Sequence, residues 1–570
     1  MPGKPRAADK LGMMRGDLEQ QPSGADERTP LKPPGKPAED SEEQLRLTAD
    51  PIGWVRSLSN SYSWRLLAMV TCTNHLLKGF VAGGGDEGLV GKPIEFIFGD
   101  LGISAGRLQM LKAVAIAPWA LKPVVALLSD AMPICGYKKM PYVVITTVGA
   151  LIGATVLGLN LSQSVPAIVL SLFLIFLQIS SVDLLVEAKQ SEEVKQKAKL
   201  GPQFFTFTWL GINLGQVASV LMLGPMIHHL GPRVPYLLAL PFIALVLWPT
   251  LSNFLGERPV PVEERGLNLR LLSKHPVLCS LTLMIGVLIM SLILGTFVLQ
   301  KEHLFTMAAA FAVIVLGSFL CFVRWEITGP VVFYFMLGLL SFNIDGALFY
   351  FYTNSHEKYP EGPHFTAYFY TTGLGAATFI GIMAGFITGS ELFKSWSYRG
   401  ILKVTILLRA CTQMMLLPVL LRWNRYLGVD DSVWVLCVIA ADSVVFAWRW
   451  IPKQVMGAHL TPRGMEATML GLTAGTFNMA MILSSYFGGF LLHYYDVRPV
   501  GAVNESGALA SLWKVQVLAA FAPCAMLFLL PALIPAKSQT EPLMEERPDS
   551  ATYRSPFEVM MARRRAEGRS

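Results

Sequence analysis

Charged side chains recur inside long apolar stretches of this chain, where each needs a physical reason. At mid-bilayer a charge costs roughly 2.5–3.5 kcal/mol on insertion scales. Asp183 and Glu187 stand one helical turn apart on a single face. Asp442 and Arg449 share another stretch, Asn343 and Asp345 a third, His75 and Lys78 a fourth. Lys112 and Lys122 lie together in a further run, and Arg409 stands alone in its own. Carboxylates in such places can carry a proton, because burial lifts their pKa toward neutrality. Bases there can hold an anionic group. Asp183, Glu187, Asp345 and Asp442 are therefore candidates for proton coupling or solute binding, and Lys78, Lys112 and Arg449 for binding an anionic part of a solute.

Plainer roles compete for several of these residues. Arg409 and Asp442 can neutralise one another between neighbouring helices. Lys122 and Glu187 lie near helix ends, where long side chains reach water. Lys112 sits two turns from Trp119 on one face, which suits an anionic or aromatic ligand or equally an ion-pair partner from elsewhere. His75 reads as a core histidine, and the run Phe349–Tyr350–Phe351–Tyr352 as an interfacial aromatic belt. Gly102-Ile103-Ser104-Ala105-Gly106 fits the nucleophile-elbow pattern, but that motif needs a strand, a turn and a helix in a sheet. Here it opens an apolar helix, so hydrolase chemistry is rejected. The 7 cysteines show neither paired nor metal-ligand spacing and read as small apolar core residues. No enzyme, cofactor or metal is expected.

The elements that position these groups follow from composition. Of 570 residues, 53% are hydrophobic and only 15% charged, with a mean hydropathy of +0.47. Soluble domains carry roughly 25% charged residues. Apolar runs of about twenty residues, enough to cross the hydrocarbon, predict spans at 66–84, 103–128, 141–163, 165–188, 203–227 and 233–254. Two more fall at 276–299 and 305–323. The last six fall at 328–352, 364–389, 400–421, 432–451, 466–492 and 513–535. The fold class is all-α and polytopic, with about 14 transmembrane helices. The lipid bilayer is a partner, and the net charge of +7, scattered over loops and tails, excludes a nucleic-acid stripe.

Residues 1–63 read as a disordered tail and 537–570 as a basic one, both expected in the cytoplasm because Lys and Arg crowd one set of loops. No apolar h-region follows Met1, so no cleavable signal peptide is expected. Two glycosylation sequons, at Asn160 and Asn504, fall on the opposite, outer side.

Pro202, Gly211 and Gly215 recur as Pro462, Gly471 and Gly475 at one separation of about 260 residues, and Lys189 and Arg449 share it. The offset suggests two six-helix halves, 64–255 and 328–536, with two helices inserted in the linker 256–327. Parallel halves around a midplane site describe the major facilitator architecture. In it the first, fourth, ninth and twelfth spans would line the cavity, and those carry all the intramembrane acids named above.

Longer motifs carry a resemblance. Pro118-Trp119-Ala120-Leu121-Lys122-Pro123, Leu128-Ser129-Asp130 and Gly136-Tyr137-Lys138-Lys139-Met140-Pro141-Tyr142 are followed by Asp345-Gly346-Ala347 and Tyr350-Phe351-Tyr352-Thr353-Asn354. Then come Gly362-Pro363-His364-Phe365, Trp396-Ser397-Tyr398-Arg399, Arg422-Trp423-Asn424 and Gly464-Met465-Glu466-Ala467-Thr468-Met469. In this order, over residues 65–535, they resemble the folate–biopterin transporter family, most closely its kinetoplastid branch. Asn478-Met479-Ala480 and Thr461-Pro462 depart from the family pattern. The resemblance implies a major-facilitator fold and proton-coupled import of folate, biopterin or a related pterin, most readily at the plasma membrane. Asp183, Asp345 and Asp442 are the candidates to carry the coupling proton or bind the pterin amino-pyrimidinone edge, and the loop with Asp130, Lys138 and Lys139 resembles the cytoplasmic conformational latch of facilitators. S-adenosylmethionine transport by the same family, or a transport-inactive nutrient receptor on the same fold, are the alternatives.

Overall fold

The computed structural model describes residues 50–538 and Glu541, apart from Asp86, residues 198–199 and 262–264, His275 and residues 460–465. Most of both expected tails lies outside the described residues, as do Pro462 and the first two residues of the Gly464–Met469 motif. Within 1–57, taken alone, helix begins at Pro51 and the element continues to Tyr62. That corrects the expectation of an aperiodic tail up to residue 63: Trp54, Leu58 and Tyr62 recur every fourth position, which places them on one helical face.

From Leu58 onward regular structure among the described residues is helical, with isolated bridges at Ile134–Tyr137 and Ser397–Ser538. Lipid requires this, since a crossing helix satisfies its own backbone groups. Among the described residues, thirteen helices are long and apolar enough to cross a membrane. They are Ala105–Ala131, Met140–Gly158, Val165–Val194, Gly201–Leu230, Val234–Leu251, Pro276–Val298 and Lys301–Phe322, then Trp325–Thr353, Phe369–Leu392, Tyr398–Leu420, Asp431–Gly457, Gly471–Tyr494 and Ser506–Leu533. We number them second to fourteenth, each falling on an expected apolar run. The expected first span is also helical, but Arg65, Asn74, His75 and Lys78 make it too polar to join the thirteen. It is α-helical over Trp64–Val70 and π-helical over Thr71–Val81.

Glycines set how closely the helices meet. The first span lies on the fifth because Gly79 faces the Ile212 carbonyl, Gly211 the His75 ring and Gly215 the His75 carbonyl. The tenth lies on the twelfth through Gly381 and Gly385, which face the Ala440 and Val444 carbonyls. Gly475, the repeat partner of Gly215, instead meets Ala120 and Pro123 of the second span, so the shared offset does not give a shared contact. The first six spans pack mainly with one another, as do the last six, while the inserted seventh and eighth lie against the second and thirteenth.

Among the described residues, several seams join the bundles, two of them as follows. The second and thirteenth spans touch along their length, from Gly106 against Gly489 to Pro123 against Gly475. Between these points Gln109 Nε2 donates to the Ser485 carbonyl at 2.9 Å and Asn478 Nδ2 to the Trp119 carbonyl at 3.0 Å. The fifth and tenth meet near the end that bears the Asn160 and Asn504 loops, hereafter the sequon side. There the Thr372 hydroxyl donates to the Val220 carbonyl at 2.7 Å and accepts from Gly224 N at 3.2 Å.

Candidate functional site

The ninth span is broken. Helix Trp325–Leu340 ends, residues 341–344 are unwound, and helix Asp345–Thr353 begins again. The neighbours accommodate the break: Gln109 Nε2 donates to the Asn343 carbonyl at 2.7 Å, and Asn343 N to the Ser484 carbonyl at 3.4 Å. Gly488 leaves room for that carbonyl, since a Cβ there would stand 1.7 Å from it. Gly346 likewise lies on the Ala105 carbonyl, 2.2 Å from where a Cβ would be. Unwound backbone at membrane depth occurs where it is buried in protein or lines a cavity, and transporters place their binding sites at such interruptions.

Asp345 occupies the first turn after the break and is exposed. Among the described residues its carboxylate has no hydrogen bond or ion pair, although the charges of Lys112, Glu95 and Lys92 act on it. Asn343 Oδ1 accepts from its backbone N–H at 2.9 Å. An open carboxylate at a broken helix can exchange protons or meet a solute donor.

Asp183 is different. It is 4% exposed and gripped by two bases from other helices: Lys78 Nζ at 2.7 Å and Lys122 Nζ at 2.5 Å. Trp209 lies 5.8 Å from Lys78 Nζ and Trp119 4.7 Å from Lys122 Nζ. Lys122 is therefore buried in an ion pair, not reaching for water, because Asp183 offers its charge a nearer partner. Glu187, one turn on, is exposed.

Asp442 is held by Arg409 Nη2 at 3.3 Å and by the Thr412 hydroxyl at 2.8 Å, so the anticipated Arg409–Asp442 pair is present. Arg449 lies in range of both charges, yet its Nη1 is buried with no acceptor among the described residues.

Lys112 has the ion-pair partner that sequence left open. Its Nζ lies 2.9 Å from Glu95, which also meets Lys92 at 3.3 Å and accepts from the Tyr370 hydroxyl at 2.9 Å. Lys92 Nζ stands 4.6 Å from the centre of the Tyr370 ring, and Phe96 packs edge-on to Phe349 and Tyr370. Glu95 lies outside the spans. Burial raises its pKa, but Lys112, Lys92 and the bonds from Lys112 and Tyr370 outweigh that and hold it at about 2. Because Tyr370 belongs to the second bundle and Glu95 to the first, this group seals the sequon side.

Sequence reasoning missed Glu95, Tyr370 and Lys453. Glu95 stands in the stretch between the first two expected spans; the signal was apolar Ile94, Ile97 and Phe98 around it in helix Pro93–Asp100. Phe349–Tyr352, expected as an interfacial belt, are all buried. Phe349 meets Phe96, Tyr350 donates to the Ile103 carbonyl at 2.5 Å, and Tyr352 stacks on Phe365 at 5.4 Å. The expected latch loop bonds to the start of the linker, its Lys138, Lys139 and Met140 N–H groups converging on the Glu257 carboxylate. Lys139 also meets Glu192 at 3.1 Å. Asp130 lies in range of Lys138, Lys139 and Glu192. His75 is half-buried, its ring 4.7 Å from Phe207 and its Nε2 without a hydrogen-bond partner among the described residues. Arg422, Asn424 and Arg425 all bind Asp431, so the Arg422-Trp423-Asn424 motif shapes a loop. Asn160 and Asn504 are both exposed at positive φ.

Two helical bundles enclosing charged mid-span groups and an interrupted helix define an all-α polytopic membrane fold of the major-facilitator type. The fold is similar to that of a solved POT family peptide transporter in an auto-inhibited form (TM-score 0.58, 13% identity, 84% of this chain and 99% of that one). It is also similar to a solved D-xylose–proton symporter (TM-score 0.52, 14% identity, 84% and 99%). The chain belongs to the BT1 family, matched over residues 87–547. Among its relatives, "Probable folate-biopterin transporter 2" of Arabidopsis thaliana is 24% identical over 521 residues, 90% of this chain and 88% of the relative. "Folate-biopterin transporter" of Synechocystis sp. (strain ATCC 27184 / PCC 6803 / Kazusa) is 25% identical over 505 residues, 86% of each.

Proposed function

We propose that this transporter imports folate, biopterin or a related pteridine by alternating access, with protons as the coupling ion. Relatives bearing folate–biopterin transporter names align over most of the chain, which supports the solute class. The observation that carries the coupling is Asp345. Of the three intramembrane aspartates singled out by sequence, it alone has no basic partner within ion-pair distance among the described residues. A carboxylate locked between bases stays ionised, whereas an open one can bind and release a proton as its surroundings change. The rocking bodies are residues 64–255 and 328–536, with 256–327 carrying the inserted pair. The Glu95–Tyr370 group must part for the sequon side to open. That side faces outward from the cell at the plasma membrane, and both termini are cytoplasmic.

Uptake of labelled folate and biopterin into proteoliposomes with an imposed pH gradient tests the reading. Saturable accumulation of at least one pteridine, abolished by a protonophore, is expected. Transport of S-adenosylmethionine alone would remove the pteridine assignment, and binding without accumulation would make the chain a receptor. For orientation, Asn504→Cys should react with an impermeant thiol reagent in intact cells; labelling only after permeabilisation reverses the topology.

A further inference from the structure

The second bundle holds more positive charge than it uses. Both oxygens of Asp442 are occupied, one by Arg409 and the other by the Thr412 hydroxyl. Arg449, two turns further along the same helix, keeps a buried Nη1 without an acceptor among the described residues, and so does Arg409. The Tyr334 hydroxyl is also buried, with no hydrogen-bond partner among the described residues. Lys453 lies one turn beyond Arg449, and Arg449 is the charge that acts on it. Its Nζ sits against aromatic faces, 3.0 Å from the centre of Phe477 and 4.1 Å from that of Trp450. Phe446 stacks on Trp450 at 5.7 Å and Phe477 meets it edge-on at 6.1 Å. Three basic side chains thus share one acid. In the first bundle Lys78 and Lys122 share Asp183, and Lys112 has Glu95, so those bases are already committed.

Resting on the reading of this chain as a pteridine transporter, we infer that Arg449 and Lys453, with Arg409 behind them, form the subsite for a carboxylate-bearing tail on the solute. Buried guanidinium N–H groups need acceptors, because an unmet donor costs its desolvation, and carboxylates match the planar guanidinium fork. The Phe446–Trp450–Phe477 group supplies a flat apolar wall for the ring system from which the tail extends. A cationic solute is disfavoured there, since like charge is brought onto unpaired bases. The preferred solute is therefore a pteridine whose tail carries two carboxylates, and a tail-less pteridine is the poorer one.

The test uses the full-length protein in proteoliposomes, with folate, pteroate (one carboxylate) and biopterin (none) as probes. In the wild type, folate should compete about tenfold or more better than pteroate, and pteroate better than biopterin. Lys453→Gln should weaken folate by about ten- to a hundredfold, the loss of a charge-assisted contact, and leave biopterin unchanged. Lys453→Arg, which keeps the charge, should retain most of the folate preference and guards against a folding defect. Equal loss for folate and biopterin in Lys453→Gln with Lys453→Arg unimpaired, or equal wild-type competition by all three, overturns the subsite and leaves the transport reading standing. Absence of saturable uptake of every pteridine overturns the transport reading, and the subsite falls with it.

Discussion

The Tyr370 hydroxyl, on the tenth span, donates to Glu95 Oε2 at 2.9 Å from across the boundary between the two bundles. Around that bond lie Lys92 over the Tyr370 ring and Lys112 on the other Glu95 oxygen. A loop acid of the first half and a phenol of the second thus make one buried group. Opening must either break it or carry its charge into a new pairing.

Tyr370→Phe should loosen the sequon-side seal. A hydrogen bond to a charged group contributes about 1.5–3 kcal/mol, so the closed fraction should fall about tenfold or more relative to the open one. Spin labels at the exposed Asn160 and Asn504 positions, one on each half, should report a longer distance. An unchanged distribution would show that this bond does not hold the seal.

The seal should be insensitive to physiological pH. Glu95 has its carboxyl held at about 2, below the ordinary 4.5. A depressed carboxylate contributes stability that is fully present above its ordinary pKa and is lost as pH falls through the depressed value. The same label pair should therefore give one distribution from about pH 5 to about pH 8. Opening of the wild type within that window would place a titrating group in the seal.

Asp345→Asn should separate coupling from transport. Solute exchange and surface expression should persist, while accumulation driven by a pH gradient disappears. Wild-type accumulation by the variant would remove Asp345 from the proton path.

Asp183 has a different fate in store. Asp183→Asn strands Lys78 and Lys122, and breaking a buried ion pair costs about 3–5 kcal/mol. The melting temperature of the detergent-solubilised protein should drop markedly, and adding Lys122→Met should restore part of it. A variant that melts like the wild type would mean that the Lys78–Asp183–Lys122 group does not contribute to stability.

The break in the ninth span can be probed at Gly488. A Cβ there would stand 1.7 Å from the Asn343 carbonyl, so Gly488→Ala should destabilise by more than about 4 kcal/mol or prevent folding. Gly317→Ala is the control, since a Cβ there meets nothing within 4 Å. It should stabilise by up to about 1 kcal/mol. Comparable thermal stability of the two variants would show that the Gly488 approach is not required.

Hydropathy made the thirteen full spans legible because each needs some twenty apolar residues, a local property. The π-helical turn register of Thr71–Val81 and the unwinding at 341–344 were not legible, since both depend on neighbouring glycines and carbonyls contributed by other spans. Charges at depth were visible; their partners were not. Lys78 and Asp183 are separated by 105 residues, and Glu95 and Tyr370 by 275, so only the rotation of each helix brings them together. Lys453 escaped notice because it lies near a helix end, where a base reads as belonging to the interface.

The cross-bundle seam at Gly106–Gly489 and Ala105–Gly346 is backbone laid on backbone. At these approaches few side-chain rotamers freeze or release as one bundle rocks on the other. The seam's conformational entropy is then nearly the same in both states, and it can act as a bearing without favouring either. Side-chain freedom is gained on opening at the rim, by Lys92, Phe96, Phe349 and Tyr370, of which the long Lys92 chain recovers up to about 2 kcal/mol. Heat should therefore shift the resting population toward the state in which that rim is released.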